Sequence, residues 1–130
     1  EESDLKPYEY FIQMEEQKII LALENNKVIG FLSYRSEYPI KAENDAEEII
    51  AEYVSTIIVD KEYRGNRITQ HMYQRLIDIS GNKILATRTW SLNKPHLHIL
   101  ESMGFQLLST IKDDRGIGID TVYYWRKTNE

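Results

Sequence analysis

With 130 residues, of which 42% are hydrophobic and 28% charged, the chain fits one globular domain over residues 1–130 and has no apolar run long enough to span a membrane. Its formal charge of -5 argues against a nucleic-acid surface and favours a cationic or amine substrate. The absence of cysteine excludes disulfides, a thiolate metal site and a cysteine nucleophile, and it fits a cytoplasmic protein.

The first predicted elements lead into a β-hairpin. Residues 4–15 contain a proline and several aromatic side chains, and they predict a short helix or an irregular arm. Two β-rich runs follow, KIILALE (18–24) and KVIGFLSYR (27–35). They are separated by Asn25 and Asn26, which tolerate the positive φ angles of a tight turn. The pattern therefore predicts a hairpin.

An acidic segment, a buried strand and an amphipathic helix come next. Residues 41–48 predict a solvated loop or a helix end. The run YVSTIIVD (53–60) predicts a strand covered on both faces, because its apolar, β-branched residues are nearly continuous. After a loop, apolar residues at helical spacing predict a helix that ends near Gly81 and turns one face to the core, namely Ile68, Met72, Leu76 and Ile79.

The last third of the chain predicts a strand, a second helix and a closing strand pair. KILATRTW (83–90) has the composition of a strand. Asn93 can cap a helix, and Gly104 can end it in a left-handed conformation with Phe105 folded back onto Leu100. Two further runs predict antiparallel strands, FQLLSTIK (105–112) and IDTVYYW (119–125). This order of elements predicts an α+β fold with a mixed sheet and packed helices.

The loop between the buried strand and the first helix can bind an anion. VDKEYRGNRIT (59–69) carries Arg64, Gly65 and Asn66, and its backbone N–H groups would meet the positive end of the helix dipole. The spacing of a nucleotide P-loop is absent, and so is the dinucleotide glycine pattern. Taken alone, the loop is either a phosphate-binding turn or an ordinary surface turn.

Two segments together resemble the GNAT superfamily of acyl-CoA-dependent N-acetyltransferases. The first is the strand ending in IIV, followed by Asp60, the Tyr-Arg-Gly of residues 63–65 and an amphipathic helix. The second is NKPHLHILESMGF (93–105), in which an asparagine opens a helix and Gly-Phe closes it at the family's separation. The resemblance covers the chain from about residue 17 onward.

The resemblance implies an α+β fold with a mixed, mostly antiparallel central sheet whose middle strands splay apart. The family normally places a strand and one or two helices ahead of the hairpin, and these elements are short or missing here. They often line the acceptor site. We therefore expect either a fragment with an incomplete acceptor pocket or a short variant that borrows a partner subunit, as in a homodimer.

The resemblance also implies a site for acetyl-CoA, without a metal, in the cleft between the strand ending at Val59 and the strand ending near Arg88. Pantetheine would pair with the backbone of residues 57–59, a backbone N–H around Ile58 or Val59 would hold the oxyanion, and the pyrophosphate would lie on the amides of residues 64–69. The implied cofactor-binding residues are Ile57, Ile58, Val59, Arg64, Gly65, Asn66, Arg67, Ile68, Thr69 and, on the opposite wall, Asn93.

Two loop positions depart from the family's pattern. Thr69 is a small but β-branched substitute for the glycine or alanine that usually ends the family's loop. Arg67 stands where the first glycine of that loop is usual. A positive φ at Arg67 would strain the backbone by about 1 kcal/mol. We expect Arg67 to be helical instead, where it costs little and adds a cation near the phosphates.

Acetyl transfer to an amine requires a base and an acid. Glu52 is the predicted base because family members often carry a carboxylate on the approach to the cofactor strand. The more usual position of the carboxylate in that strand matches Ser55, and an acidic site that some members use on the next strand falls on Arg88. Leu100 occupies the place of the tyrosine that serves many relatives as the acid. Either the CoA thiolate leaves without a dedicated acid, or another hydroxyl acts as the acid. Tyr123 is the first candidate for this role, and Tyr124 and Tyr73 are the others.

The two neighbouring histidines do not predict a metal site. His96 and His98 do not share a helix face, and no cysteine or acidic partner supplies a further ligand at zinc-like spacing. His96 lies near the helix start that should face the cofactor, so it has either a polar role there or a plain capping or surface role.

The leading hypothesis is an N-acetyltransferase that uses acetyl-CoA and acts on a primary amine of a small molecule or peptide. The alternative is a GNAT-like CoA-binding or regulatory module with reduced catalysis, suggested by Arg67, Arg88 and Leu100. An unrelated α+β interaction domain would require both motifs to coincide by chance.

Overall fold

The computed structural model describes residues 17–41 and 47–127, so the predicted arm at 4–15 and most of the acidic segment at 41–48 lie outside the described residues. The strands are β1 (Lys18–Glu24), β2 (Lys27–Ile40), β3 (Ile49–Val59), β4 (Leu85–Trp90), β5 (Gln106–Ile111) and β6 (Thr121–Arg126). The helices are α1 (Ile68–Ser80) and α2 (Lys94–Ser102), and a 3₁₀ turn spans Lys61–Tyr63. This is the predicted order of elements.

The hairpin of β1 and β2 forms at the predicted turn. Asn25 and Asn26 have φ angles of 51° and 68°, and two successive positive values are what a two-residue connection with the right strand twist requires. β2 continues beyond its predicted end at Arg35 to Ile40, because its second half pairs with β3.

The six strands form one sheet in the order β1-β2-β3-β4-β6-β5. The described pairs are antiparallel except for β3 with β4, which run parallel. This parallel ladder joins residues 52–54 to residues 85–87 and then stops. The mixed, mostly antiparallel sheet with splayed middle strands confirms the predicted α+β class.

A bulge at Ser55 lies where the two middle strands separate. Tyr34 of β2 lies opposite Val54, whereas the preceding residue, Ser33, lies opposite Thr56. β3 therefore has one extra residue across this step. A bulge of this kind increases the local twist and bends its strand, so the bend coincides with the end of the ladder between β3 and β4.

Both helices contribute to one apolar core. α1 ends at Gly81 as predicted. Ile79 was predicted to face this core but is 47% exposed. The buried stripe of α1 passes beside Ile79 because it follows Met72, Tyr73, Leu76 and Ser80. α2 adds Leu100, and the strands add Leu32, Tyr34, Val54, Val59, Leu85, Val122 and Tyr124.

The predicted ends of α2 are confirmed. The Asn93 side chain accepts a hydrogen bond from the N–H of His96 at 3.4 Å and caps the first turn. After the helix, Gly104 has a φ of 91°. This turn lets the Phe105 N–H donate to the carbonyl of Leu100 at 2.9 Å, so that Phe105 folds back into the core.

Gly30 on β2 is a position where a side chain would disturb β3. A Cβ there would lie 2.9 Å from the Ile58 carbonyl oxygen and 3.4 Å from Val59 Cα. Because these are backbone atoms of a paired strand, we expect Gly30→Ala to lower the free energy of unfolding by about 1–3 kcal/mol. Urea denaturation measures this loss of stability, and Lys27→Ala, at an exposed position of the same strand, is the control. Equal stability of Gly30→Ala and the unmodified protein would contradict the expected clash.

Candidate active site

A cleft opens where β3 and β4 separate. Beyond Val54 and Thr87, β3 and β4 share no further pairs in the described part of the chain. β3 nevertheless stays paired with β2 on its other edge as far as Val59. Its cleft edge therefore carries backbone donors and acceptors that the sheet does not use. The structure thus contains the cleft expected between Val59 and the end of the next strand.

Two of the three residues predicted to bind through this strand direct their backbone groups to the cleft. In a β-strand, the backbone groups of successive residues point to opposite edges. The Asp60 N–H donates to the Ile29 carbonyl of β2 at 2.8 Å. Ile58, two residues earlier, therefore also faces β2, whereas Ile57 and Val59 face the cleft.

The start of the loop after β3 is held by its own side chains. The Asp60 carboxylate accepts from the Glu62 N–H at 3.0 Å and caps the 3₁₀ turn. Arg64 Nε donates to the carbonyl of Val59 at 3.2 Å. This contact ties the loop back to the last residue of β3 and occupies the Val59 carbonyl. Of the two backbone groups of Val59, the N–H is therefore the one directed to the cleft.

The second half of the loop brings backbone N–H groups to the start of α1. Asn66 Nδ2 donates to the Tyr63 carbonyl at 3.1 Å. Gly65 and Arg67 have φ angles of 88° and 64° and turn the chain into the helix. The first N–H groups of a helix have no partner within it, and the helix dipole makes this end positive. Residues 64–67 are exposed, so the predicted cradle is open to a ligand.

The expected helical conformation of Arg67 is wrong. Arg67 is the N-cap of α1 in the left-handed region, with φ 64° and ψ 24°, and its side chain makes no capping hydrogen bond. The reason is that the chain must reverse between the 3₁₀ turn and α1, and the reversal uses this residue as well as Gly65. A left-handed arginine costs about 1 kcal/mol.

The strain at Arg67 gives a testable expectation. Arg67→Gly should raise the free energy of unfolding by about 0.5–1 kcal/mol, because glycine adopts a positive φ without a Cβ penalty. Arg67→Ala removes the same charge but keeps the strain, so it serves as the matched control and should leave stability nearly unchanged. Urea denaturation compares the three proteins. If glycine is no more stabilising than alanine, the left-handed conformation is not strained.

Asn93 lies just beyond the end of β4 on the opposite side of the cleft. Its Nδ2 donates to Thr89 Oγ1 at 3.3 Å while its Oδ1 caps α2. These two contacts join the end of β4 to the start of α2 and fix the orientation of the amide. The predicted contact of Asn93 with the cofactor remains a prediction.

Buried polar contacts that the sequence did not predict lie behind the cleft. The Tyr73 hydroxyl lies 2.8 Å from His96 Nε2. Thr87 Oγ1 donates to the Val54 carbonyl at 3.0 Å. Burial raises the pKa of the fully buried Tyr73 hydroxyl above its usual range, although the bond to Thr87 opposes this shift. The sequence signal was the alternation of Thr87 and Thr89 on either side of Arg88, which places both hydroxyls on one face of the strand.

The predicted base, Glu52, is buried at the closed end of the β3–β4 ladder. It is 4% exposed, and its carboxylate accepts from Ser36 Oγ at 2.9 and 3.0 Å and from the Glu37 N–H at 2.9 Å. Burial, with the charge of Glu52 as the second cause, raises the pKa of Tyr34. These contacts stabilise the irregular step in β2 at Glu37, whose φ is 52°.

The structure does not bring the predicted acid and base together. Tyr123 packs in a cluster with Ala51 and Tyr53. Because Glu52 lies between these two residues on the same strand, its side chain points to the other face of the sheet. Tyr123 and Glu52 thus lie on opposite faces.

The other candidate positions for proton transfer are engaged elsewhere. The Tyr124 hydroxyl donates to Glu101 Oε2 at 3.1 Å, which together with burial raises the pKa of Tyr124. Ser55 Oγ contacts Ser33 Oγ at 3.2 Å and donates to the Gln17 side chain. Tyr73, the remaining candidate acid, has its hydroxyl 2.8 Å from His96 Nε2.

Within residues 17–41 and 47–127, no three His, Asp or Glu side chains come together as a set of metal ligands. In the same ranges, neither helix has the length and apolar character needed to cross a membrane.

Comparisons with known proteins agree with this geometry. The sequence matches the Acetyltransferase (GNAT) family over residues 1–105, and no curated protein matches it. One similar solved structure is an aminoglycoside 6'-N-acetyltransferase complexed with coenzyme A, with 11% identity and a TM-score of 0.73 over 94% of this chain and 79% of that chain.

Two further solved structures share the fold. The aminoglycoside 6'-N-acetyltransferase from Enterococcus faecium has 12% identity and a TM-score of 0.73, covering 94% of this chain and 81% of that chain. The ribosomal-protein-alanine N-acetyltransferase from Brucella melitensis has 17% identity and a TM-score of 0.65, covering 92% and 74%. Identities this low indicate a common fold and do not identify an acceptor.

Proposed function

The chain belongs to the GNAT acetyltransferase family, and we propose that it transfers the acetyl group of acetyl-CoA to a primary amine of a small molecule or peptide by direct attack in a ternary complex. The observation that carries this proposal is the cleft between β3 and β4, which continues into the exposed N-terminus of α1. The coenzyme A complex of an acetyltransferase with the same fold supports acetyl-CoA as the co-substrate.

The described residues fit the co-substrate in two separate ways. The cleft edge of β3 presents the backbone of Ile57 and Val59, which suits the amides of a pantetheine arm. The N–H groups at residues 64–69 and the dipole of α1 suit a pyrophosphate. A Cβ at Gly65 would meet nothing within 4 Å, so a ligand has room to approach the backbone there. Arg64 and Arg67 add positive charge beside this anion site.

The chemistry assigned to this chain is proton removal and charge stabilisation. The acceptor amine must lose a proton to attack, and negative charge then develops on the acetyl oxygen. The Val59 N–H is the donor that we assign to this oxygen, because it faces the cleft while its carbonyl is bound by Arg64. Glu52 as the base and Tyr123 as the acid remain part of the proposal.

Thr69 in the first turn of α1 tests the cofactor site. We expect Thr69→Glu to abolish detectable acetyl-CoA binding in titration calorimetry, since a carboxylate there would repel the pyrophosphate at the helix start. Thr69→Gln is the matched control, because it has nearly the same size without the charge, and it should keep most of the affinity.

Both outcomes of the Thr69 experiment are informative. If the glutamate variant keeps the affinity of the unmodified protein, the loop is not the binding site. If the unmodified protein shows no binding at millimolar acetyl-CoA, the whole proposal fails.

The proton-transfer residues are tested with an amine panel and an assay for released CoA thiol. With an accepted amine, Glu52→Gln and Tyr123→Phe should each lower kcat by about 10²–10⁴-fold if the residue transfers a proton, and should leave the KM for acetyl-CoA nearly unchanged. A Ser36→Ala control removes the hydrogen bonding of Ser36 to Glu52 without removing the carboxylate. An unchanged kcat would remove the substituted residue from the mechanism.

A CoA-binding or regulatory module with reduced catalysis is the second candidate. It is favoured by Leu100, which is completely buried and has no hydroxyl, and by the hydrogen bonds that occupy Glu52. This candidate predicts acetyl-CoA binding without thiol release for any amine in the panel. Thiol release above the rate of spontaneous hydrolysis would exclude it.

A further inference from the structure

The first strand, β1, forms one edge of the sheet. In the described part of the chain it pairs only with β2, so its outer edge meets no other strand there. Such an edge can pair with a strand of another molecule unless proline, bulges or inward-pointing charges protect it. β1 contains no proline, and its two charged residues, Lys18 and Glu24, stand at its ends.

The side chains of β1 are apolar on both faces of the sheet. Ile20 and Ala22 pack against the core that the helices cover. On the opposite face, Ile19, Leu21 and Leu23 are 46%, 54% and 59% exposed. Neighbouring exposed apolar side chains of this size mark a surface that another molecule contacts.

A groove runs along the same edge, between β1 and α1. It has a volume of about 580 Å³, and residues 19–24 of β1 line it on one side. Ile68 and Ile79 of α1 lie in the other wall, where Ile79 is 47% exposed. A strand paired with β1 would therefore also bury apolar surface of α1.

The opposite edge of the sheet, β5, is protected against such pairing. Leu107 and Ser109 of β5 lie opposite two successive residues of β6, so Leu108 is an extra residue in the edge strand. A bulge in an edge strand twists it away from a partner. The irregularity beside β1 differs, because there the extra residue, Ile29, belongs to β2. β1 itself keeps a regular run of residues.

The sequence of β1 is complementary to itself in antiparallel register. When two copies of KIILALE pair about Leu21, Lys18 of each copy lies opposite Glu24 of the other. Between these ends, every residue lies opposite an apolar residue, and the two Leu21 side chains face each other. Opposite charges and apolar pairs across strands both stabilise a sheet. Registers shifted by one or two residues place at least one charged residue opposite an apolar one.

We propose that two copies of this chain associate through β1, as a two-fold symmetric, antiparallel pair centred on Leu21 that joins both sheets into one. The same surface of each copy forms the interface, and the exposed apolar row of one β1 continues into that of the other. β2 separates this interface from β3 and its cleft edge, and the association does not depend on acetyl-CoA binding. It gives the homodimer expected from the sequence a defined surface.

The main experiment measures the mass of the protein in solution by light scattering and sedimentation. We expect about twice the 15.4 kDa of one chain at micromolar concentration. Leu21→Lys should give a monomer, because two lysines would face each other at the centre of the pair. Leu107→Lys is the matched control. It introduces the same charge at a 54% exposed leucine of β5, on the opposite edge, and should leave the dimer unchanged.

Charge exchange tests the register. Lys18→Glu alone places like charges opposite each other at both ends of the pair, and so does Glu24→Lys alone. Each should raise the Kd of the dimer by about tenfold, since two attractions become two repulsions. The double variant Lys18→Glu with Glu24→Lys exchanges the charges and should restore most of the affinity. Failure of the double variant to recover would contradict this register.

A covalent trap provides an independent measurement if Leu21→Lys does not fold. The chain has no cysteine of its own, so Leu21→Cys introduces a single thiol. Opposed residues of an antiparallel pair have Cα atoms about 4.5–5.5 Å apart, a separation that a disulfide spans. Under mild oxidation we expect a covalent dimer on a non-reducing gel. Val28→Cys, at an exposed position one strand away from the edge, should stay monomeric on that gel.

Three results would overturn the proposed interface. A monomeric unmodified protein would exclude it, and protection of the β1 amides from hydrogen exchange in that monomer would identify residues 1–16 as the alternative cover. A dimer that survives Leu21→Lys, or one that Leu107→Lys dissociates, would place the contact elsewhere. Circular dichroism of each variant separates loss of the dimer from loss of the fold. Calorimetry with acetyl-CoA tests the proposed function separately, so either proposal can fail alone.

Discussion

The structure depends on the early end of the hydrogen-bond ladder between β3 and β4. The two strands pair over residues 52–54 and 85–87 and then separate, while each remains held by its outer neighbour. The bulge at Ser55 bends β3 at this point. Because backbone polar groups in a protein interior require partners, the unpaired edge of β3 favours a ligand that supplies them.

The separation of the strands also explains the polar groups behind the cleft. Where the ladder stops, Thr87 Oγ1 donates to the Val54 carbonyl, and the Tyr73 hydroxyl contacts His96 Nε2 between the two helices. A buried polar group without a partner is costly, whereas a completely satisfied chain holds its members in one arrangement. The apolar core around these residues provides most of the burial.

The loop at the mouth of the cleft contains local backbone strain. Arg67, the N-cap of α1, adopts a left-handed conformation that glycine would adopt more easily. Side chains that break a local rule often do so at binding sites, where the group they place has another use. Glu52 shows the opposite case, because a carboxylate expected to be reactive is held by Ser36 and by the backbone of Glu37.

The sequence by itself determined the order and type of the elements, the hairpin turn at Asn25 and Asn26, the ends of both helices and the family. These follow from local signals, because turn residues, caps and hydrophobic periods act over a few neighbouring residues. The expected site at the 59–69 loop and Asn93 also followed from local motifs, and the structure places these segments on the two sides of one cleft.

Only the tertiary structure decided which groups meet. It showed that Ile58 faces β2, that Glu52 and Tyr123 lie on opposite faces of the sheet, and that Arg67 is not helical. These outcomes depend on strand register and on the bulge, where a single extra residue reverses which groups face a neighbour. The link from Tyr73 to His96 joins residues far apart in the chain, so no local pattern could reveal it.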